Sequence, residues 1–151
     1  MKSEEIRTLD LFCGAGGSSF GAQQVQGVKI VAGIDRWQPA AQTFAANFPD
    51  ARVICDDITK LCPKQLRSEL GPIDLILASP ECTSHSNAKG GAERSDVSRE
   101  TAFEVVRFAR EFLPTWVVFD DTGSGLDQMR REANVCQIYS APAACKISTM
   151  G

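Results

Sequence analysis

Thr8-Leu9-Asp10-Leu11-Phe12-Cys13-Gly14-Ala15-Gly16-Gly17 is a short apolar run that passes straight into a glycine-rich turn. Ile6 to Phe12 has the composition of a buried strand. Gly14, Gly16 and Gly17 permit positive φ and let the backbone approach a ligand with no Cβ in the way. The stretch therefore reads either as a cradle for a cofactor or as a tight strand-to-helix turn, and its surroundings bear on the choice.

Downstream, Ser18 to Val25 is compatible with a short helix, and Gly27 precedes a second apolar run, Ile30 to Ile34, that stops at Asp35. Pro39 stands where a helix would begin, and Ala40, Ala41, Phe44, Ala45 and Phe48 recur at helical spacing until Pro49 ends it. Val53-Ile54 is a short strand closed by Asp56-Asp57, and Pro63 to Leu70 is a helix stopped by Gly71-Pro72. Ile73 to Ala78 is the clearest strand and runs into Ser79-Pro80-Glu81-Cys82. The polar stretch Cys82 to Ser98 reads as a long functional loop, Arg99 to Phe112 as an amphipathic helix, and Trp116 to Phe119 as a fifth strand. Alternating strands and helices predict an α/β fold with a parallel sheet, whose ligands gather at the carboxyl ends of the strands. Asp10 with the glycines, Asp35, Asp57, Cys82 and Asp120 all fall at or near such ends.

The 151 residues suffice for one domain, and 43% hydrophobic against 23% charged residues is a globular balance. A formal charge of -3 argues against a stand-alone nucleic-acid binder, because such binding rests largely on Lys and Arg neutralising phosphates. Cys13, Cys55, Cys62, Cys82, Cys136 and Cys145 form no C-x-x-C pair, and His85 is the single histidine, so no metal site is expected. With no signal-peptide pattern and no run near the ~18 apolar residues of a membrane span, a cytoplasmic chain with reduced thiols and no membrane contact is expected.

The charges narrow the ligand. Asp10 lies just before the turn, where a pyrophosphate would repel it and a cationic group would not, and Asp35 ends the second strand, where an acid can hold ribose hydroxyls. S-adenosylmethionine, a nucleoside with a positive end, suits both; NAD and a ligand-free turn remain alternatives. Asp57 could accept from an adenine amino group with Ile58 packing on the ring, or be a solvated turn acid. Trp37 could stack on the adenine or be a partly buried core aromatic. Cys82, at a strand end behind Pro80, is either a nucleophile or an inert structural thiol. His85 is either its base or a water-facing loop histidine.

Taken in order, Asp10 to Gly17, Ile34-Asp35, Asp56-Asp57-Ile58, Ser79-Pro80-Glu81-Cys82 and Trp116 to Asp121 resemble the motif series of the cytosine-5 DNA methyltransferases, from about Ile6 to Asp121. The resemblance implies a Rossmann-like fold, a parallel sheet with helices on both faces. It implies S-adenosylmethionine as cofactor, held by Asp10, Phe12, Cys13, Gly14, Ala15, Gly16, Gly17, Asp35, Trp37, Asp57, Ile58 and Pro80. It also implies Cys82 as the nucleophile that adds to carbon 6 of a cytosine flipped out of DNA, Asp120 as the carboxylate that holds the base edge, and Lys89-Gly90-Gly91 as part of a closing loop. An RNA cytosine as acceptor is an alternative, since the same chemistry serves both nucleic acids.

Two departures temper the expected activity. The family's Pro-Pro-Cys-Gln is Pro80-Glu81-Cys82-Thr83, which sets a like charge beside the thiolate. Its Glu-Asn-Val is Asp120-Asp121-Thr122, shorter by one methylene, about 1.5 Å, and a displacement of about 1 Å can cost on the order of a hundredfold in rate. Residues 123–151 show no sustained period, and no target-recognition domain is recognisable there. The expectation is a cofactor-binding and catalytic half over 1–122 and an atypical tail over 123–151, with the sheet incomplete at its C-terminal strands. The fifth strand's edge would then be bare and open to self-association or to a complementing subunit. Activity by this chain alone is expected to be weak or absent, with a non-catalytic cofactor-binding remnant or one part of a split methyltransferase as the alternative.

Overall fold

The computed structural model describes residues 5–80, 96–119 and 138–140. Strand β1 (Ile6–Leu11) leads through the glycine turn to a short helix α1 (Gly17–Ala22), then to β2 (Val28–Asp35), α2 (Gln38–Asn47) and β3 (Arg52–Cys55). A single 3₁₀ turn at Ile58–Lys60 precedes α3 (Pro63–Leu70) and β4 (Leu75–Ala78). Helix α4 (Asp96–Phe112), β5 (Trp116–Phe119) and β6 (Ile138–Ser140) complete the described elements. Proline stands in the first turn of both α2 and α3, where its missing N–H has no intrahelical partner to lose.

All neighbouring strands run parallel, in the order β3-β2-β1-β4-β5-β6. The chain winds outward from β1 to β3, then returns to the other side of β1 with β4, so the winding direction reverses between β1 and β4. A crevice opens at the carboxyl ends of the strands at such a reversal.

Two apolar clusters flank the sheet. Leu9 and Leu11 of β1, Ala32 and Ile34 of β2, Ile76 and Ala78 of β4 and Val117 and Phe119 of β5 pack with Leu66 of α3 and Val105, Phe108 and Phe112 of α4. On the other side Cys13, Ile30, Phe44 and Phe48 gather beneath α2. Ile30 and Ala32, two residues apart, would ordinarily share a face; they fall in different clusters because the β1–β2 register slips between Thr8 and Leu9, with Thr8 facing Ile30 and Leu9 facing Ala32, leaving Val31 without a partner of its own.

Three expectations are corrected. The fifth-strand edge is not bare, since β6 pairs with it as Val117–Ile138, Val118–Tyr139 and Phe119–Ser140. Those backbone pairs occupy the N–H and C=O groups that were to invite self-association or a complementing subunit. Helix α4 starts at Asp96, three residues before the helix read from Arg99, so the polar loop is shorter at that end. The clearest strand begins at Leu75 rather than Ile73.

Candidate functional site

A cavity of about 550 Å³ opens at the carboxyl ends of the strands, the size of a typical small-molecule site. Phe12, Gly14 and Ala15 from the glycine turn, Asp35 at the end of β2 and Trp37 beyond it, and Asp57 and Ile58 after β3 all stand in its wall. These are seven of the residues singled out from the sequence, contributed by three separate loops.

The glycine turn is shaped by backbone requirements. Phe12 has φ 58° and Gly14 φ 53°, so the chain enters the turn through the left-handed region, which costs a non-glycine residue such as Phe12 about 1 kcal/mol or more. Gly16, at φ 97°, has a separate reason to be glycine: a Cβ there would stand 2.4 Å from the ring of Phe48 and 3.1 Å from that of Phe44. At Gly14 and Gly17 a Cβ would meet nothing within 4 Å, so space is open beside that backbone. The turn is tied to its neighbours by the Asn47 side chain donating to Ala15 O at 3.0 Å, and by Ser18 and Ser79, whose hydroxyls lie 3.0 Å apart.

Asp35 holds the turn from the end of the neighbouring strand β2. Its Oδ2 accepts from Gly14 N at 2.8 Å and its Oδ1 from Trp37 N at 2.8 Å. Each oxygen has a second lone pair, so the carboxylate is oriented by the backbone and still has accepting capacity. Trp37 is 66% exposed, which removes the reading of a buried core aromatic and leaves a ring at the cavity wall. Asp57 caps the 3₁₀ turn, accepting at Oδ1 from Thr59 N at 3.0 Å and Thr59 Oγ1 at 2.8 Å. These bonds favour the ionised carboxylate and hold it below the usual range. Ile58 beside it is buried and joins the main core.

Asp10 departs from its expected place. It is fully buried in β1, outside the cavity wall, with Oδ2 accepting from Ser19 Oγ at 2.6 Å and Oδ1 without a partner among the described residues. Burial pushes its carboxyl up to about 7 against the opposing Ser19 bond, and the nearby Asp35 adds to the rise. Asp10 is thus a buried carboxyl beneath α1 rather than a residue of the cavity wall. Cys13 also lies outside the wall: its backbone N donates to Ile34 O at 3.0 Å, its side chain is buried in the cluster under α2, and burial pushes its thiol up. Gly16, Gly17 and the buried Pro80 stand outside the wall too. Cys82, His85, Lys89-Gly90-Gly91 and Asp120 lie outside the described residues.

The cavity also recruits residues the sequence did not mark, among them Arg36, Thr43 and Glu104. Asp56 and Ser79, quoted in the motif series without a role of their own, line it as well. Glu104 comes from the middle of α4, 46 residues beyond Ile58 (104 − 58), and no local pattern could have assigned it.

The chain is similar to known methyltransferases. The type II methyltransferase M.DdeI of Desulfomicrobium norvegicum is 32% identical over 116 residues, covering 77% of this chain and 28% of that protein. The type II methyltransferase M.HgiGI of Herpetosiphon aurantiacus is 30% identical over 118 residues, covering 77% of this chain and 90% of that protein. The S. pombe Dnmt2 methyltransferase superposes with a TM-score of 0.64 at 18% identity over 85% of this chain and 39% of its own, a likeness of fold. The chain thus spans little more than a quarter of M.DdeI. A family model for the C-5 cytosine-specific DNA methylases matches residues 6–139, past the limit at Asp121 read from the motifs and into β6. With this match along nearly the whole described sheet, the chain belongs to the C-5 cytosine-specific DNA methylase family.

Proposed function

We propose that the cavity binds S-adenosylmethionine and that the chain carries the donor and nucleophile elements for methyl transfer to carbon 5 of cytosine in DNA. The observation that carries this reading is the convergence of the glycine turn, Asp35, Trp37, Asp57 and Ile58 on one cavity of about 550 Å³. The wall suits a nucleoside. Phe12, Ile34, Pro39, Ala40 and Ile58 supply apolar surface, Trp37 an exposed ring for stacking, and Asp35 and Asp57 acceptors for hydroxyl and amino groups. Open space beside Gly14 and Gly17 admits the rest of the cofactor close to the backbone.

When bound, S-adenosylmethionine supplies an electrophilic methyl group. By family membership, the Cys82 thiolate adds to carbon 6 of the flipped cytosine and electron density shifts to carbon 5, which takes the methyl. Loss of the carbon-5 proton then expels the thiolate. Asp120 is the carboxylate assigned to the base edge. The match to the C-5 cytosine-specific DNA methylase model, and similarity to the DNA (cytosine-5)-methyltransferase 1 of Gallus gallus, favour DNA over RNA as acceptor.

The test has two stages on the same protein. Calorimetry is expected to show saturable S-adenosylmethionine binding that Asp35→Ala weakens by about tenfold, since hydrogen bonds to a charged group are worth roughly 1.5–3 kcal/mol. An oligonucleotide carrying 5-fluorocytosine, with cofactor, is then expected to give a covalent adduct absent from Cys82→Ser, because fluorine leaves no proton to abstract. No binding by folded protein at millimolar ligand overturns the cofactor reading; binding without adduct reduces the chain to a cofactor-binding domain.

A further inference from the structure

The 3₁₀ turn that carries Asp57 and Ile58 is not held by its own strand alone. Arg107, on α4, reaches across to it. Its Nη2 donates to Ile58 O at 2.6 Å and its Nη1 to Leu61 O at 2.7 Å, so one guanidinium grips both ends of the turn. The same group is oriented from behind by Glu104, one helical turn earlier, which accepts from Nε at 2.7 Å and from Nη2. The Glu104 side chain is only 17% exposed and stands in the cavity wall. Arginine suits this task because its planar fork fixes several donors in one geometry.

The geometry points to Glu104 and Arg107 as a positioning pair that sets the Asp57–Ile58 turn at the adenine end of the cavity, and so determines preference for adenine over other purines. The inference rests on the S-adenosylmethionine reading of the cavity. Neither residue needs to touch the ligand for this. The Asp57 carboxylate is the acceptor for the exocyclic amino group, and its height above the sheet is fixed by bonds to carbonyls one and four residues further along. A site built around one hydrogen bond rejects an analogue that lacks the partner group, and it loses that discrimination when the acceptor moves by about 1 Å.

The test uses the full chain and two probes in calorimetry, S-adenosylhomocysteine and its hypoxanthine counterpart S-inosylhomocysteine, which lacks the amino group. Wild type is expected to prefer the adenine probe. Arg107→Met is expected to weaken that probe by about tenfold and the hypoxanthine probe by about threefold or less, narrowing the preference. Glu104→Gln keeps both carbonyl bonds and is expected to lose about threefold on the adenine probe with the same bias. It decides the matter if Arg107→Met does not fold. Equal losses on both probes indicate a merely structural role and overturn the proposal, as do wild-type affinities in both variants. Folded wild type that binds neither probe overturns the cofactor reading and this proposal together, whereas wild-type binding with unaltered preference in the variants overturns this proposal alone.

Discussion

On the glycine-turn side of the cavity, Gly16 rests against the rings of Phe44 and Phe48, and Asp35 fastens Gly14 from the end of a buried strand. Across from it, the turn at Asp57 follows β3, an edge strand of four residues with no fully buried position, and is held by hydrogen bonds from Thr59 and Arg107. Packing of Gly16 on two rings backs the first wall in addition to its hydrogen bonds, whereas the second leans on hydrogen bonds, with Ile58 reaching the core. Packing resists any change of volume, because the surrounding rings have nowhere to go. A tethered wall moves when a bond is cut, while the fold beneath it stays. Substitutions on the first wall should therefore register in stability and those on the second in ligand preference.

The sharpest way to break that contrast is Gly16→Ala. The left-handed φ costs roughly 1–2 kcal/mol and displacement of Phe48 roughly 1–3 kcal/mol more, so a stability loss of about 2–5 kcal/mol is expected in denaturant unfolding. A variant as stable as wild type would show that the packed wall is softer than its contacts indicate.

A smaller effect is expected at Asp10, beneath the same wall. Below the ordinary aspartate range its carboxyl is protonated whether the chain is folded or not, and its contribution is fully present. As pH rises the unfolded chain ionises first, while folded Asp10 stays neutral until about 7, so stability is lost through that window and levels off above it. Relative to Asp10→Asn, which does not titrate, wild type should lose about 2 kcal/mol between about pH 5 and pH 8. Parallel stability profiles for the two proteins would mean that Asp10 is charged in the fold.

The least effect on stability belongs to the tethered wall. Asp57→Ala removes the cap on the 3₁₀ turn, yet the melting temperature should barely move, while affinity for S-adenosylmethionine falls several-fold. A clear fall in melting temperature with unchanged affinity would reverse the assignment of the two walls.

The parts legible in the sequence were those set by local pattern. Buried parallel strands read as unbroken apolar runs, so β1 with its glycine turn and β2 ending in Asp35 stood out, and polar residues just past strand ends marked the cavity mouth. Strand β6 did not, because three residues, Ile138-Tyr139-Ser140, carry no period and become a strand only by pairing with β5. The position of Asp10 within β1 was legible, but not that the Ser19 hydroxyl would bond its buried carboxyl. Glu104 and Arg107 read as ordinary charges on an amphipathic helix; only the docking of α4 beside the Asp57 turn gives them a task.

Val31, the residue of β2 without a partner on β1, has a consequence for how this chain tolerates change in length. Ile30 and Ala32 already pack in clusters on opposite sides of the sheet, which is how adjacent strand residues ordinarily point. Deleting Val31 would join them in an unbroken ladder, and Asp35 would keep its place opposite Cys55 and its bond to Gly14. β2 thus holds one residue of slack between two fixed ends. A one-residue deletion there would be absorbed before it reached the carboxylate, whereas the same deletion between Leu11 and Gly16 would pass directly into the turn.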